Sequence, residues 1–261
     1  MEKVTYIVPV HEFTDESKKM YESAFNSLSQ LKGAEEFEVF VVGPKDVLKK
    51  CKDVYKEVTC TQELTLIETN ETDLFAKINE AVMKCTTPYF SILEFDDAYY
   101  PYWNLVAQRY IESERYSIIF PIAEMFTVDG KIIGLANELA WDAAFVGEEN
   151  LGFIQLNDLL TFRDFQLTGS YIKTEDFISL GKFKPEFKIF AYYEYLLRAA
   201  NAEKKLFVAP RCGYKHVVMR EGSYLDKITK ELPREEGIAL LETVIAPYKK
   251  EESQTTGETN K

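Results

Sequence analysis

Three carboxylates, Glu94, Asp96 and Asp97, follow a short apolar run at residues 89–93. The run is too short for a helix and comes after a turn at residues 86–88, so the pattern predicts a buried strand that ends at the acids. Unpaired carboxylates inside a sheet would be unfavourable by several kcal/mol each. The acids must therefore emerge at an edge of the sheet, which in open α/β sheets is where ligands bind.

The spacing of these acids indicates what they could bind. Glu94 and Asp96 are two residues apart, which places them on the same side of an extended backbone. Hard oxygen ligands of this kind suit Mg²⁺ or Mn²⁺ carrying a phosphorylated substrate. An acidic, solvated turn explains the same residues, because short acidic motifs often occur by chance. On this stretch alone both interpretations stay open.

Alternating strands and helices lead up to the acidic strand. Apolar β-rich runs predict strands and apolar residues at helical spacing predict helices, at residues 4–10 (strand), 20–31 (helix), 37–42 (strand), 47–55 (helix), 64–67 (strand) and 73–85 (helix). Strands that alternate with helices in this way predict an α/β fold with a mostly parallel sheet and helices on its flanks.

The pattern is less regular after Pro101. Residues 141–150 show no clean period and predict a long loop or flap, which in a compact domain is usually functional. We predict one domain over residues 1–248, with halves at 1–100 and 101–248, and a disordered polar tail at 249–261. The other elements predicted are helices at 103–110, 174–181, 191–202 and 233–248, strands at 116–122, 169–173 and 205–209, a hairpin at 127–132 and a connecting segment at 211–219.

Composition limits the classes of function. The chain has 261 residues, 46% of them hydrophobic, which is enough for a sizeable core. A formal net charge of −12 argues against broad binding to nucleic acid or anionic membrane. The four cysteines form no C-x-x-C pair, so metal or disulfide roles are not expected of them. The first apolar run is too short for a signal peptide and no segment has membrane-spanning length, which predicts a cytoplasmic protein.

Several segments, in their order along the chain, resemble one known family. The strand Ile7-Val8-Pro9-Val10 resembles the opening of GT-A-fold glycosyltransferases, chiefly family 2, and residues 89–97 resemble the strand that ends in the family's DxD motif. The similarity spans residues from 3 to 225. Further similar segments are Asn79 to Val82 (Asn-x-Gly/Ala-Ile), 168–183 (the segment ending in Gly-Gly-Phe), 194–198 (the second half of the Glu-Asp helix) and 214–216 with Ser223 (Tyr-x-His).

The resemblance implies a GT-A-like, open and mostly parallel Rossmann-like sheet with a small mixed region on the acceptor side. It also implies a nucleotide-sugar donor, expected to be UDP-linked and bound by the first half of the chain. A divalent metal, Mn²⁺ or Mg²⁺, would be held chiefly by Asp96, with Glu94 or Asp97 assisting and His216 as a further metal or diphosphate contact. The residues expected to contact the donor are Pro9, His11, Glu12, Asn79 and Glu94.

Two departures from the family pattern affect the expected chemistry. Residues 43–46 read Gly-Pro-Lys-Asp where the family has Asp-Asp-Gly-Ser, so the nucleobase is not predicted. The Glu-Asp position that often supplies the general base falls on Ala191 and Tyr192. An inverting transfer needs a base near the acceptor hydroxyl, whereas a retaining one does not need it there. The candidate catalytic residues are Glu194 and Asp97, and further carboxylates considered are Asp142, Glu148, Glu149 and Asp164.

Each of these residues also has a structural interpretation. Glu194 and Arg198 at i,i+4 could simply be a helix-surface pair. His216 could be a structural histidine, and His11 an ordinary loop residue. Asn79 could only bridge backbone groups. A basic cluster is interpreted as a solvated face, with diphosphate or a polyanionic acceptor as the alternative ligand; it comprises Lys204, Lys205, Arg211, Lys215 and Arg220.

Other enzyme classes lack their motifs in this sequence. No G-x-G-x-x-G follows the first strand, and neither a P-loop nor a G-x-S-x-G elbow is present. The main alternative is a glycosyltransferase-like module that binds without catalysis. The acceptor could be a saccharide or a DNA base, and the oligomeric state is left open. Aromatic residues that could stack on either acceptor are Tyr99, Tyr100, Tyr102, Trp103, Trp141, Phe145, Phe153, Tyr192 and Tyr193.

Overall fold

The structure is a computed structural model that describes residues 2–33, 36–58, 60, 62–113, 115–138, 151–162 and 165–249. Its strands are β1 (Val4–Pro9), β2 (Glu38–Gly43), β3 (Leu64–Glu68), β4 (Tyr89–Ile92), β5 (Ala98–Tyr99), β6 (Ile118–Phe126), β7 (Ile132–Ala136), β8 (Phe153–Ile154), β9 (Tyr171–Lys173) and β10 (Leu206–Val217). Its helices are α1 (Asp15–Ser29), α2 (Lys45–Glu57), α3 (Leu74–Val82), α4 (Trp103–Ile111), α5 (Leu156–Thr161), α6 (Thr174–Ser179), α7 (Ala191–Asn201), α8 (Tyr224–Glu231) and α9 (Arg234–Ile245).

The first half of the chain forms the parallel part of the sheet. Its strands lie in the order β3-β2-β1-β4, every neighbouring pair is parallel, and α1, α2 and α3 make the connections. Every residue of β1 is buried, because Tyr21 and Phe25 of α1 cover one face of the sheet and Ile78 of α3 belongs to the core on the other. The predicted α/β fold with a mostly parallel sheet flanked by helices is confirmed.

The second half adds the mixed region that was predicted. Strand β9 lies between β4 and β6 and is antiparallel to both, while β6 and β10 are parallel. The short strands β5 and β8 pair with β10, and β7 pairs with β6. The hairpin predicted from Asp129-Gly130 joins β6 to β7, where the amide of Thr127 donates to the carbonyl of Lys131 (2.9 Å) and Gly130 has a φ of +81°.

Strand β10 is longer than the sequence predicted. The prediction placed a strand at 205–209 and a connection at 211–219, but β10 continues to Val217 beside Phe126 of β6. Pro210 interrupts the apolar pattern, and the ladder absorbs the irregularity through register shifts on either side of Cys212. The continuation matters because it carries His216 to the end of the sheet where the acids emerge.

Helix α8 was not predicted. The helix predicted at 174–181 is α6, which does begin at Thr174, and the hydroxyl of Thr174 donates to the carbonyl of Thr87 (2.9 Å). The predicted flap at 141–150 and the tail at 250–261 lie outside the described residues, and the division at residue 100 stays a prediction. Within the described ranges no helix combines the length and apolarity needed to cross a bilayer.

Candidate functional site

A cavity of about 430 Å³ opens at the carboxyl ends of β1 and β4. These strands end side by side, and the amide of Leu93 donates to the carbonyl of Ile7 (2.9 Å). Pro9 and His11 reach the cavity from the β1 side, and Glu94 and Asp96 reach it from the β4 side. The opposite wall comes from the end of β10 and from α7 and α8, so the predicted meeting of the β1 loop with the acids is confirmed by the geometry.

Glu94 is the carboxylate most available to a ligand. It is half-buried and lines the cavity, and its hydrogen bonds with described residues are made by its backbone: the amide donates to the hydroxyl of Tyr214 (3.3 Å) and the carbonyl accepts from the amide of Asp97 (3.0 Å). No described side chain donates a hydrogen bond to its carboxylate. Burial, together with the nearby charges of Asp97 and Asp96, raises the pKa of Glu94 to about 8. At pH 7 the group is therefore mostly a protonated carboxylic acid, which can donate one hydrogen bond to a ligand and accept others from ligand hydroxyls.

Asp97 points away from the cavity and fixes the end of β10. It is 1% exposed, and its two carboxylate oxygens face the amide of Val217 (2.7 Å) and Nδ1 of His216 (2.9 Å). Burial lowers the pKa of His216, but Asp97 and the other two acids outweigh this effect and raise the pKa to about 9. His216 is therefore a cation at neutral pH that donates to Asp97 and lines the cavity.

Asp96 forms an ion pair across the cavity. Nε of Arg220 lies 2.6 Å from its Oδ2, and both side chains are at most 8% exposed. Burial and the charge of Asp97 raise the pKa of Asp96, although Arg220 offsets part of the shift. Nη1 of Arg220 also lies 3.5 Å from Oε1 of Glu12, so one guanidinium joins the loop after β1 to the loop after β4.

The loop after β1 contributes a neutral imidazole. The ring of His11 packs edge-on against Phe95, with 5.2 Å between ring centroids. Burial lowers the pKa of His11 to about 4, so the ring is uncharged at neutral pH. Its Nε2 lies 3.8 Å from Oε2 of Glu12 and makes no hydrogen bond with the described residues. Glu12 itself is held by Arg220 and, at 3.5 Å, by Lys227.

The predicted metal ligands do not form a coordination site in this arrangement. His216 contacts Asp97, Asp96 contacts Arg220, and the Glu94 side chain has no hydrogen-bond or ion-pair partner among the described residues. Across the described part of the chain, no three His, Cys, Asp or Glu side chains are placed so that they could hold one metal ion. The donor set as folded does not fit a divalent cation, because its acidic charge is already balanced by an arginine and a protonated histidine.

Two predicted site residues lie elsewhere. Asn79 uses both ends of its amide on the backbone of Phe183, donating to the carbonyl (2.8 Å) and accepting from the amide (3.0 Å). The side chain of Glu194 is 3% exposed and binds Lys184 (2.9 Å) and Arg198 (2.7 Å). Neither Asn79 nor Glu194 lines the cavity. Asn79 thus bridges backbone groups, which was its alternative interpretation, and Glu194 does pair with Arg198 at i,i+4, but the pair is buried and not on the helix surface.

Tyr192 lines the cavity; the sequence identified it as a departure from the family and as one of the aromatic residues that could stack on an acceptor. Its hydroxyl is buried and has no hydrogen-bond partner among the described residues. Of the predicted aromatic residues, Tyr193 also lines the cavity, whereas Tyr99 and Trp103 fill the core. The sequence signal for Tyr192 was its position, at which the family has an acid.

Five residues considered for the site lie outside the described ranges: Trp141, Asp142, Glu148, Glu149 and Asp164. Phe145 lies outside them as well.

No protein-family model matches the sequence, and no curated protein matches it either. Solved structures of S. aureus TarS do match. TarS 1-349 in complex with UDP-GlcNAc aligns with a TM-score of 0.68 at 16% identity over 94% of this chain and 66% of that one. TarS 1-349 in complex with UDP aligns with a TM-score of 0.63 at 17% identity, over 93% of this chain and 65% of that one. The longer TarS structure aligns with a TM-score of 0.61 at 17% identity, over 94% of this chain and 42% of that one.

These likenesses concern the fold. This chain spans less than two thirds of the length of the TarS structures that it matches. At such low identity the alignment establishes a shared architecture, including the GT-A-like sheet, and carries no residue roles by itself. The cavity at the ends of β1 and β4 thus lies in a fold that in TarS has been solved with UDP-GlcNAc and with UDP.

Proposed function

We propose that this chain is a glycosyltransferase that binds a UDP-linked sugar in the cavity at the ends of β1 and β4. The observation that carries the proposal is the convergence of Pro9, His11, Glu94 and Asp96 on one cavity in a chain with the fold of TarS. The cavity of about 430 Å³ is within the range of roughly 300–1,000 Å³ that is usual for small-molecule sites.

The roles follow from the geometry of the lining. Pro9 and the neutral ring of His11 form an apolar wall suited to a nucleobase, and Glu94 accepts hydrogen bonds from donor hydroxyls. Tyr192 and Tyr193 offer aromatic faces to a sugar.

During the transfer, the bond between the anomeric carbon and the diphosphate oxygen breaks, and its electron pair stays on UDP. A bond to the acceptor oxygen forms, and the acceptor hydroxyl loses its proton.

The proposal does not give the general-base role to Glu194 or Asp97. Glu194 is enclosed by two cations, and both oxygens of Asp97 are engaged by β10, so neither can reach an acceptor without breaking those bonds. The four further carboxylates outside the described residues stay predictions for an inverting reaction. The predicted assistance by Mn²⁺ or Mg²⁺ is left out of the proposed reaction, because the donor set as folded does not fit a divalent cation.

We propose a saccharide as the acceptor, with a DNA base as the alternative. Tyr192 and Tyr193 could stack on either one. A net charge of −12 favours the uncharged saccharide, because a DNA substrate would bring phosphates toward an acidic protein. Release of UDP in the presence of oligosaccharides, compared with single-stranded DNA, distinguishes the two.

Thermal unfolding with UDP, UDP-sugars, ADP and GDP tests donor binding. A ligand at about 100 times its Kd adds roughly 2.7 kcal/mol to the free energy of unfolding, so a selective rise in Tm with UDP compounds is expected. Glu94→Gln should weaken UDP-sugar binding by about 2- to 10-fold, because Glu94 is mostly uncharged at pH 7 and a hydrogen bond between neutral groups contributes roughly 0.5–1.5 kcal/mol. The exposed Glu71→Gln is the matched control.

A second function is favoured by one observation. The position where the family has acids is occupied by Ala191 and Tyr192, and no described carboxylate replaces them at the cavity wall on α7. UDP binding without UDP release, for any donor and acceptor, would indicate a binding module. No Tm shift with any nucleotide would contradict both functions.

A further inference from the structure

Arg220 lies at the centre of the acidic cluster although it is 124 residues from Asp96 in sequence. Its Nε is 2.6 Å from Oδ2 of Asp96 and its Nη1 is 3.5 Å from Oε1 of Glu12. The guanidinium carbon lies 4.9 Å from the ring centroid of Phe95. The side chain is 8% exposed and lines the cavity. Arg220 was grouped at the sequence level with a basic surface cluster, but the structure separates it from a solvated face.

The segment that carries Arg220 is fixed by local hydrogen bonds. The amide of Val218 donates to the carbonyl of Phe126 (2.8 Å), and the amide of Ser223 donates to the carbonyl of Arg220 (3.2 Å). The hydroxyl of Ser223 then caps α8 by accepting from the amide of Asp226 (3.1 Å). The guanidinium is therefore held at the cavity by its backbone as well as by its ion pairs.

A second pair of contacts ties α8 to the cavity walls. The hydroxyl of Tyr224 donates to Oδ2 of Asp73, the cap of α3 (2.8 Å), and Nζ of Lys227 lies 3.5 Å from Oε2 of Glu12. Since Tyr224 also lines the cavity, α8 and Arg220 form one continuous wall. This wall faces the acids at the end of β4.

The chemistry of this arrangement differs from that of a metal site. An arginine is charged at all accessible pH values and has five N–H donors in a planar fork that matches phosphate oxygens. Asp96 and Glu12 engage one N–H each, which leaves three N–H groups of Arg220 for a ligand. A divalent ion at Asp96 would have to displace this ion pair first.

We propose that Arg220 is the resident cation of the cavity: it balances Asp96 and Glu12 where a divalent metal was predicted, and its remaining N–H groups bind the diphosphate of the donor. Donor binding by this chain then needs no metal. The inference rests on the proposed function for the identity of the diphosphate ligand. The displacement of the metal rests only on the contacts of Arg220.

The first experiment uses Mn²⁺ alone, without nucleotide, and so does not depend on the proposed function. In calorimetric titration, wild type should bind Mn²⁺ no more tightly than Asp96→Asn does, whereas Arg220→Gln should bind Mn²⁺ at least tenfold more tightly than wild type because Asp96 and Glu12 are released. Arg220→Gln/Asp96→Asn should lose that gain. The exposed Arg211→Gln is the matched control and should behave as wild type. Tight Mn²⁺ binding by wild type that Asp96→Asn removes would overturn the inference.

The second experiment measures UDP affinity in EDTA and in Mn²⁺. Wild type should bind UDP with the same Kd within twofold in both, Arg220→Gln should bind at least tenfold more weakly in EDTA, and Arg220→Lys should lie between them because it keeps the charge but loses the fork. Circular dichroism confirms that each variant is folded.

Two results would overturn the diphosphate role: wild type that binds UDP only with Mn²⁺, or folded Arg220→Gln that binds UDP as tightly as wild type. Absence of UDP binding in every arm would contradict both the proposed function and that role, while the Mn²⁺ titration would still test the displacement of the metal.

Discussion

Two acidic clusters among the described residues each pair a carboxylate with an arginine, and they differ in that one lines the cavity at the ends of β1 and β4 and the other does not. At the end of β4, Asp96 binds Arg220 beside an open volume of about 430 Å³. On α7, Glu194 binds Arg198 inside the fold, and Arg198 continues to the carbonyls of Leu180 and Lys182. Sequence resemblance connected both clusters with catalysis.

The difference comes from the element that carries each acid. A parallel strand ends at the edge of its sheet, so the acids after β4 are delivered to a crevice between loops. A helix presents its side chains to whatever packs against it, and α7 packs on the segment at residues 180–183, whose carbonyls Arg198 satisfies. The same residue types therefore serve ligand binding in one place and loop anchoring in the other.

The largest expected effect is on the α7 cluster. Glu194→Gln removes the charge that balances Arg198 and Lys184, and breaking a buried ion pair is destabilising by about 3–5 kcal/mol. Urea unfolding should show this loss, while UDP binding by the folded fraction stays at the wild-type value. Glu186→Gln, at an exposed position of the neighbouring segment, should change stability by less than about 0.5 kcal/mol. Loss of turnover without loss of stability would restore Glu194 as a catalyst.

A pH series distinguishes the two histidines near the β4 acids. The pKa of His216 is raised from 6.5 to about 9, so its contribution to stability is fully present below pH 6.5 and is lost as the pH rises through 9. The shift corresponds to at most about 3 kcal/mol, since one pKa unit is roughly 1.4 kcal/mol. His216→Gln should flatten the difference in stability between pH 6.5 and 9.

His11 is the matched control for that series. Its pKa is lowered to about 4, so its contribution is present above pH 6.5 and is lost as the pH falls through 4. His11→Gln should therefore change the stability profile only on the acid side. Equal effects of the two substitutions above pH 7 would contradict the assignment of His216 to Asp97.

The smallest effect concerns two neighbouring tyrosines on α7. The hydroxyl of Tyr192 is buried without a described partner, whereas that of Tyr193 donates to the carbonyl of Leu159 (2.9 Å). Tyr192→Phe should raise the free energy of unfolding by about 1 kcal/mol, and Tyr193→Phe should lower it by about the same amount. If Tyr192 serves the ligand, Tyr192→Phe also weakens UDP-sugar binding. Equal destabilisation by both substitutions would show that Tyr192 has a structural partner.

Much of the fold could be predicted because its signals are local. Apolar runs and helical spacing located β1 to β4 and α1 to α3. Asp73, the first residue of the predicted third helix, is the N-cap of α3 and accepts from the amide of Ala76 (2.9 Å). The position of Glu94 and Asp96 at the edge of the sheet was also predictable, because burying unpaired carboxylates inside a sheet is unfavourable. The continuation of β10 beyond Pro210 could not be predicted, because its pairing with β6, and not its own residue pattern, keeps this part of the chain in the sheet.

Residue patterns were enough to predict the parallel half of the sheet and the acids at its edge, since both depend on periodicity and on the unfavourable burial of charge. The partners of those acids depend on long-range packing. Arg220 meets Asp96, and His216 meets Asp97, only because β10 runs beside β6 and then turns into α8. Long-range ion pairs leave no periodic trace in a sequence, and these pairs determine whether the acids face a metal ion or an arginine.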